Sequence, residues 1–453
     1  MNKPQNKFGN WIKTSISARM LMVGLLILIL LIPLSYIKSL ITERSNRQEE
    51  VVNEINKKWG SEVLIYGPIL KVPYKTYTEK LITNGDTQKV TKETLEHINY
   101  AYFFPNDLNI TSQINPKIKK RGIYKTSVYK SDLLLNGEFK KPDFSSIEAT
   151  DKDILWNKST VIIKTSNLKG INNQVEILLN KNNYSFVPKY EAQKNGNYKN
   201  KSFHKLETSY LKIEEFTNNK NTPFSISLTV SGSKQLTIIP IGKETNLNVK
   251  SNWKTANFIG SFLPLNSDKI SENGFDAKWK VLHINRPFSQ EYFQLLPNLT
   301  QYAFGVNFMI PVDEYQKSER SAKYGFLVIA LTFLIFFLIQ SISNIPIHPF
   351  QYLMIGLALT MFYTLLISIS EHSNFFNAYL IASISVIALI TLYSKSILKT
   401  FKFPLFIAIS LTALYTFIYV IIQLENYALL VGSIGLFTIL SIVMYASRKI
   451  DWN

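Results

Sequence analysis

With no cysteine among its 453 residues, the chain can hold neither a disulfide nor a thiolate metal site, so any domain outside a membrane must rest on its apolar core alone. The net charge is +18, and the mean hydropathy of +0.03 is too high for an ordinary charged soluble protein and too low for a pure membrane bundle. A mixture of the two is expected.

Residues 1–19 are polar and carry Lys3, Lys7, Lys13 and Arg19 without an acid. They precede an almost wholly apolar run from Met20 to Ile37. The run is too long for a signal-peptide core and lacks a small-residue cleavage site. It reads as an uncleaved signal anchor over 20–38, with a cytoplasmic N-terminus over 1–19. Ile41, Val51, Val52, Ile55 and Trp59 continue a helical pattern over 39–60 until Gly60 stops it.

Residues 61–322 read as a large extracytoplasmic domain built mainly of strands, one unit or two stacked units. Phe224, Ile226, Leu228 and Val230 alternate with polar residues. Ser231-Gly232-Ser233 then reads as a turn into a second strand, Gln235 to Ile241, which predicts a hairpin. Val161 to Ile163, Leu133 to Phe139, and Leu247 with Val249 are further strands. Strands at this spacing without long helices predict a β-sandwich. The Asn- and Lys-rich stretch from Tyr190 to Lys205 reads as a long loop.

From 323 to 445 the composition is that of a membrane bundle. Five spans are expected: Tyr324–Ile339, Tyr352–Ser370, Ala378–Tyr393, Phe403–Leu424 and Tyr427–Tyr445, the last two joined by Glu425 and Asn426. Lys395, Lys399 and Lys402 fall in one loop, and Arg448 and Lys449 in the tail at 446–453. The loops at 371–377 and 425–426 carry no Lys or Arg. The 341–350 loop lacks them too and is uninformative. This bias places both termini in the cytoplasm and the large domain outside. The fold class expected is a membrane protein with six transmembrane α-helices plus a large mainly-β, sandwich-like extracytoplasmic domain.

That domain carries about ten more Lys and Arg than Asp and Glu. Such a surface could attract anionic lipid or an acidic polymer, or be an ordinary solvated face. Nucleic acid has no supporting motif and the wrong compartment.

In the third span, Tyr352, Gly356, Thr360, Tyr363, Thr364, Ser368 and Glu371 fall on one half of a helical wheel. Lipid cannot satisfy these groups, so this half is expected to face other helices, or to serve a small transporter. Glu371-His372 closes the span as either a proton-relay or ligand-binding pair or a solvated helix end. His348, Pro349 and Gln351 read as a helix start, too far from His372 to share a metal. Asp313, Arg320 and Lys323 cluster where the domain meets the second span, as a coupling joint or as markers of the membrane interface. Ser166-Asn167-Leu168-Lys169 matches S-x-x-K, but neither S-D-N nor K-T-G accompanies it. No metal, cofactor or catalytic constellation is expected.

Several stretches together resemble the CreD family of inner-membrane proteins. They include YGPILKVP around Gly67-Pro68, GIYKTSVYKSDLLLNGEF from Gly122 to Phe139, and Asn252-Trp253 followed by Phe258 to Pro264. They continue with Asp313, Tyr315, Arg320, Lys323 and Tyr324, then His348-Pro349-Phe350-Gln351-Tyr352-Leu353 and Gly356-Leu357. Ser370-Glu371-His372 and Arg448 to Trp452 complete the set. The resemblance implies an inner-membrane location and a role in cell-envelope integrity and colicin tolerance, under a stress response to wall damage. It implies no catalytic residues. Membrane lipids and an envelope component or partner protein are the expected partners. The reading that results is a non-enzymatic envelope-integrity factor, with a small transporter as the alternative.

Overall fold

The computed structural model describes residues 16–83, 90–147, 149–190, 203–217, 221–308, 314–343, 345–398, 401–424 and 427–448. It divides into two compact units, one of residues 1–50 with 312–453 and one of 51–311.

The second unit is the strand domain. Helix α1 (Ile16–Trp59) is continuous, and its last turns belong here. Asn56 accepts a hydrogen bond from Thr126 Oγ1 at 3.1 Å, and Lys119 lies over the Trp59 ring. Gly60 ends the helix with a φ of 141°, and a side chain there would collide with the Ser231 carbonyl.

Sixteen strands follow among the described residues. In chain order they begin with β1 (Val63–Thr83), β2 (Val90–Phe103), β3 (Asp107–Arg121), β4 (Tyr124–Lys140) and β5 (Thr160–Thr165). Next come β6 (Glu176–Leu179), β7 (Asn182–Lys189), β8 (His204–Thr208), the one-turn helix α2 (Glu214–Thr217), β9 (Asn221–Ser233) and β10 (Gln235–Ile238). The last are β11 (Glu244–Ser251), β12 (Ala256–Gly260), β13 (Ile270–Ser271), β14 (Gly274–Leu282), β15 (Glu291–Phe293) and β16 (Phe304–Phe308).

The strands form a single ladder in the order β12-β16-β10-β1-β5-β8-β7-β6-β9-β4-β3-β11-β14-β13, with β2 also on β1 and β15 on β2. β7 joins its two halves: residues 182–185 pair with β6 and residues 186–189 with β8. A strand that changes sheets in this way makes the corner of a sandwich. The halves share one core. Trp279 of β14 packs on Phe258 of β12 and Phe304 of β16, while Phe308 of β16 lies against Tyr129 of β4 and Phe275 of β14. The polar ends of the buried rings are met by backbone: Trp279 Nε1 donates to the Phe262 carbonyl at 3.1 Å and Tyr129 Oη to that of Gln235 at 2.7 Å.

The mainly-strand, sandwich-like expectation therefore holds, but the hairpin expected at Ser231-Gly232-Ser233 does not form. β9 pairs with β4 and β6, whereas β10 pairs with β1 and β16. The small residues are there for packing. A Cβ on Gly232 would meet the Tyr129 ring and Val63, so the strand runs straight through them. The chain turns one residue later, at Lys234, with a φ of 61°, and crosses to the other half. Of the loop expected over Tyr190 to Lys205, residues 191–202 lie outside the described residues, and His204 and Lys205 already belong to β8.

The first unit holds the membrane-facing helices. A ten-residue helix, α3 (Glu314–Lys323), precedes α4 (Gly325–Ser343), α5 (Pro349–Ser370), α6 (Phe375–Leu398), α7 (Lys402–Gln423) and α8 (Ala428–Ser447). Among the described residues, α1 and α4 to α8 are six helices long and apolar enough to cross a membrane. α4 to α8 overlap the five stretches expected as spans, and α1 runs without a break through the expected anchor to Trp59. Gly356 is where α1 crosses α5 closely, since a Cβ there would collide with Leu30 Cδ1 and lie 3.0 Å from Phe333.

Candidate functional site

α5 begins as its sequence suggested. Pro349 occupies the first helical position, where its missing N–H costs nothing. His348 Nδ1 accepts from the Phe350 N–H at 3.2 Å, and Gln351 Oε1 accepts from the His348 N–H at 2.8 Å. This reciprocal cap satisfies orphan donors at the helix start. One turn on, Tyr352 is fully buried, donates to Gln340 Oε1 of α4 at 2.9 Å and packs edge-on to Phe333.

The polar side of α5 faces the bundle only in part. Tyr352, Gly356, Thr360 and Tyr363 are buried, but Ser368 is exposed and Thr364 half-buried. Ile355, Leu359, Phe362 and Leu366, on the apolar half, are buried as well. Burial reaches both halves of the wheel, because α4 and α6 pack on the helix and α1 reaches Gly356. Thr360 and Ser370 donate to carbonyls of their own helix, three residues back.

The far end of α5 carries a different arrangement. Glu371 is the residue that closes the helix, where a carboxylate opposes the macrodipole. Two partners from distant parts of the chain offset that cost. Tyr315 Oη of α3 donates to Glu371 Oε1 at 3.3 Å, and Arg44 Nε of α1 lies 3.7 Å from the same oxygen. The Glu371 side chain is 17% exposed and that of Arg44 46%, so the hydrogen bond is sheltered and the ion pair faces solvent. α1 is the segment by which the chain enters the strand domain, and α3 the segment that follows its last strand. Glu371 thus holds both connecting segments at one point of the bundle.

α3 is seated there by its own pattern. Tyr315, Ser318 and Ala322, at i, i+3 and i+7, form its buried face with Ser321. On the flank, Arg320 donates to the carbonyls of Ile421 and Leu424 at 3.2 and 2.9 Å, capping the end of α7. Lys317 reaches Gln423 at 3.3 Å and lies over the Phe375 ring of α6. Of the three residues expected at the joint, Arg320 is tied to a span. Lys323 makes a local, exposed pair with Glu319 at 3.1 Å, and Asp313 lies outside the described residues. His372 is exposed, and its backbone N–H bonds the Ile369 carbonyl. Glu371 and His372 are neighbours in sequence but do not act on a common partner.

A model of the family described as inner membrane protein CreD matches residues 15–453. The chain belongs to the CreD family. It is similar to the inner membrane protein CreD of Escherichia coli (strain K12), with 28% identity over 431 residues, covering 94% of this chain and 91% of that protein. The matched span takes in the His348 cap, Gly356 and the Glu371 junction, as well as the whole strand domain.

Sequence reasoning singled out Glu371 because a carboxylate at a span end is costly. It missed Arg44 and Tyr315, which are brought in by tertiary structure from far along the chain. The signal available for Tyr315 was the short period of buried positions in α3. Among the described residues no group of His, Asp and Glu is placed to hold a metal ion.

Proposed function

We propose that this CreD-family membrane protein is a non-enzymatic envelope-integrity factor. Its strand domain stands on the outer side of the inner membrane and binds an envelope component or partner protein. The helical bundle anchors it and receives the result of binding. Both termini lie in the cytoplasm, as the Lys and Arg bias of the short loops suggests. The observation that carries the reading is the Glu371 junction. A domain attached through two segments can influence a bundle through those segments, and Arg44 and Tyr315 bring both of them to a single carboxylate. Two states of that junction, held and released, are the physical form a binding signal would take. The large core supports a domain rigid enough to transmit displacement.

The test is genetic. A strain lacking the protein is expected to lose resistance to detergent and to wall-directed antibiotics. The intact chain should restore it, and Glu371→Leu, at equal membrane abundance, should not. Unaltered resistance in the deletion strain would remove the proposal. Full rescue by Glu371→Leu would remove the junction from it.

A further inference from the structure

The bundle contains a groove of about 770 Å³ between α4, α7 and α8, with Leu338, Ile342, Phe406, Ala413, Ile439 and Val443 among its walls. Lys402 and Ala446 also line it, so the start of α7 and the end of α8 meet at one end. From Lys402 to Phe417 it follows α7 for about 22 Å at 1.5 Å per residue. That exceeds the ~15 Å half-thickness of a bilayer core. α8 buries none of its own residues, so it lies at the periphery of the bundle.

We propose that this groove is a binding site for one anionic glycerophospholipid, its tail between α4, α7 and α8 and its phosphate at Lys402 and Arg448. An apolar wall offers water no hydrogen-bond partners, and an unfilled wall forfeits dispersion contacts, so a hydrocarbon chain is the occupant that suits it. The charge at its end selects the headgroup. Lys402 is exposed at the start of α7 and Arg448 follows α8 directly, its guanidinium over the Tyr445 ring. The one carboxylate in the sequence between His372 and Arg448 is Glu425, beyond the opposite end of α7. Basic groups beside an apolar crevice attract anionic headgroups.

Native mass spectrometry of the full chain, released from membranes containing phosphatidylglycerol and phosphatidylcholine, tests this. The intact chain should retain one phosphatidylglycerol, preferred on the order of tenfold over phosphatidylcholine. Lys402→Gln with Arg448→Gln should abolish the preference while a lipid is still retained. Ala413→Trp, which fills the groove from an exposed position, should abolish retention itself. Glycerol 1-phosphate should fail to compete, which separates a lipid from a free phosphate ligand. Equal retention of the two lipids, an unchanged preference in the double variant, or a lipid-free dimer with a second copy in the groove would overturn the proposal. Should Ala413→Trp fail to fold, the preference in the double variant still decides.

Discussion

Tyr315→Phe removes one hydroxyl from the Glu371 junction and leaves the rest of the ring in place. The ring is 7% exposed and stays buried in the variant, so the apolar contribution of the side chain is retained. A hydrogen bond to a charged acceptor contributes roughly 1.5–3 kcal/mol when well formed, and at 3.3 Å the lower end or about 1 kcal/mol applies. That is about a fivefold increase in local opening of α3. Arg44→Gln removes an ion pair of 3.7 Å on a half-exposed arginine, for which at most about 0.5 kcal/mol is expected. Amide hydrogen exchange over residues 314–323 reads both. A double-mutant cycle of Tyr315→Phe with Glu371→Gln should return a coupling of about 1 kcal/mol, and the Arg44 cycle half that or less. Exchange over α3 that matches the intact chain in Tyr315→Phe would refute the reasoning. So would an acceleration spread evenly over α4 to α8.

Gly356→Leu should lower the thermal midpoint of the solubilised bundle by the equivalent of about 1–3 kcal/mol, because the new side chain enters the space of Leu30 and Phe333. Gly356→Ala should cost less, since the Leu30 methyl can rotate away. Arg320→Ala should destabilise the end of α7 by about 1–2 kcal/mol by freeing the Ile421 and Leu424 carbonyls, read as faster exchange over the last turn of that helix. In the strand domain, burial would raise the Glu207 carboxyl, but Lys71 at 2.9 Å, Thr160 and Lys205 outweigh it and hold the group below its ordinary range. A depressed carboxylate gives stability that is present above its unfolded value, near 4.3, and lost as pH falls through the folded value. Glu207→Gln should therefore lower the stability of the domain at neutral pH and flatten its dependence below about pH 5, measured by tryptophan fluorescence during unfolding.

Much of the architecture was legible because it rests on long, one-dimensional signals. Six apolar runs of sufficient length announce six helices, and the alternation in Phe224 to Val230 announces a strand whichever neighbours it takes. Pairing is a different matter. Ser231-Gly232-Ser233 has the composition of a turn, and only the Tyr129 ring above Gly232 shows that small residues are required for contact. The wheel of α5 separated polar from apolar residues, but it could not show that Ile355, Leu359 and Phe362 are also used for packing. At the candidate site, His348, Pro349 and Gln351 could be read because a helix cap is local. Glu371 could be flagged by its cost but not explained, since Arg44 and Tyr315 come from opposite sides of the strand domain in sequence. α3 was hidden by its length and by its charges, which resemble an interface marker until the buried face at Tyr315, Ser318 and Ala322 is seen.

The claim that the strand domain engages the envelope is tested most directly by photo-cross-linking in intact cells. A photoreactive residue in place of Leu263, which is 72% exposed on the loop after β12, reports what lies against that surface. The account predicts a discrete adduct between the chain and envelope material, present at Leu263 or at a comparable scan of exposed domain positions. A complete scan that returned only the free chain, in cells under wall stress, would contradict it.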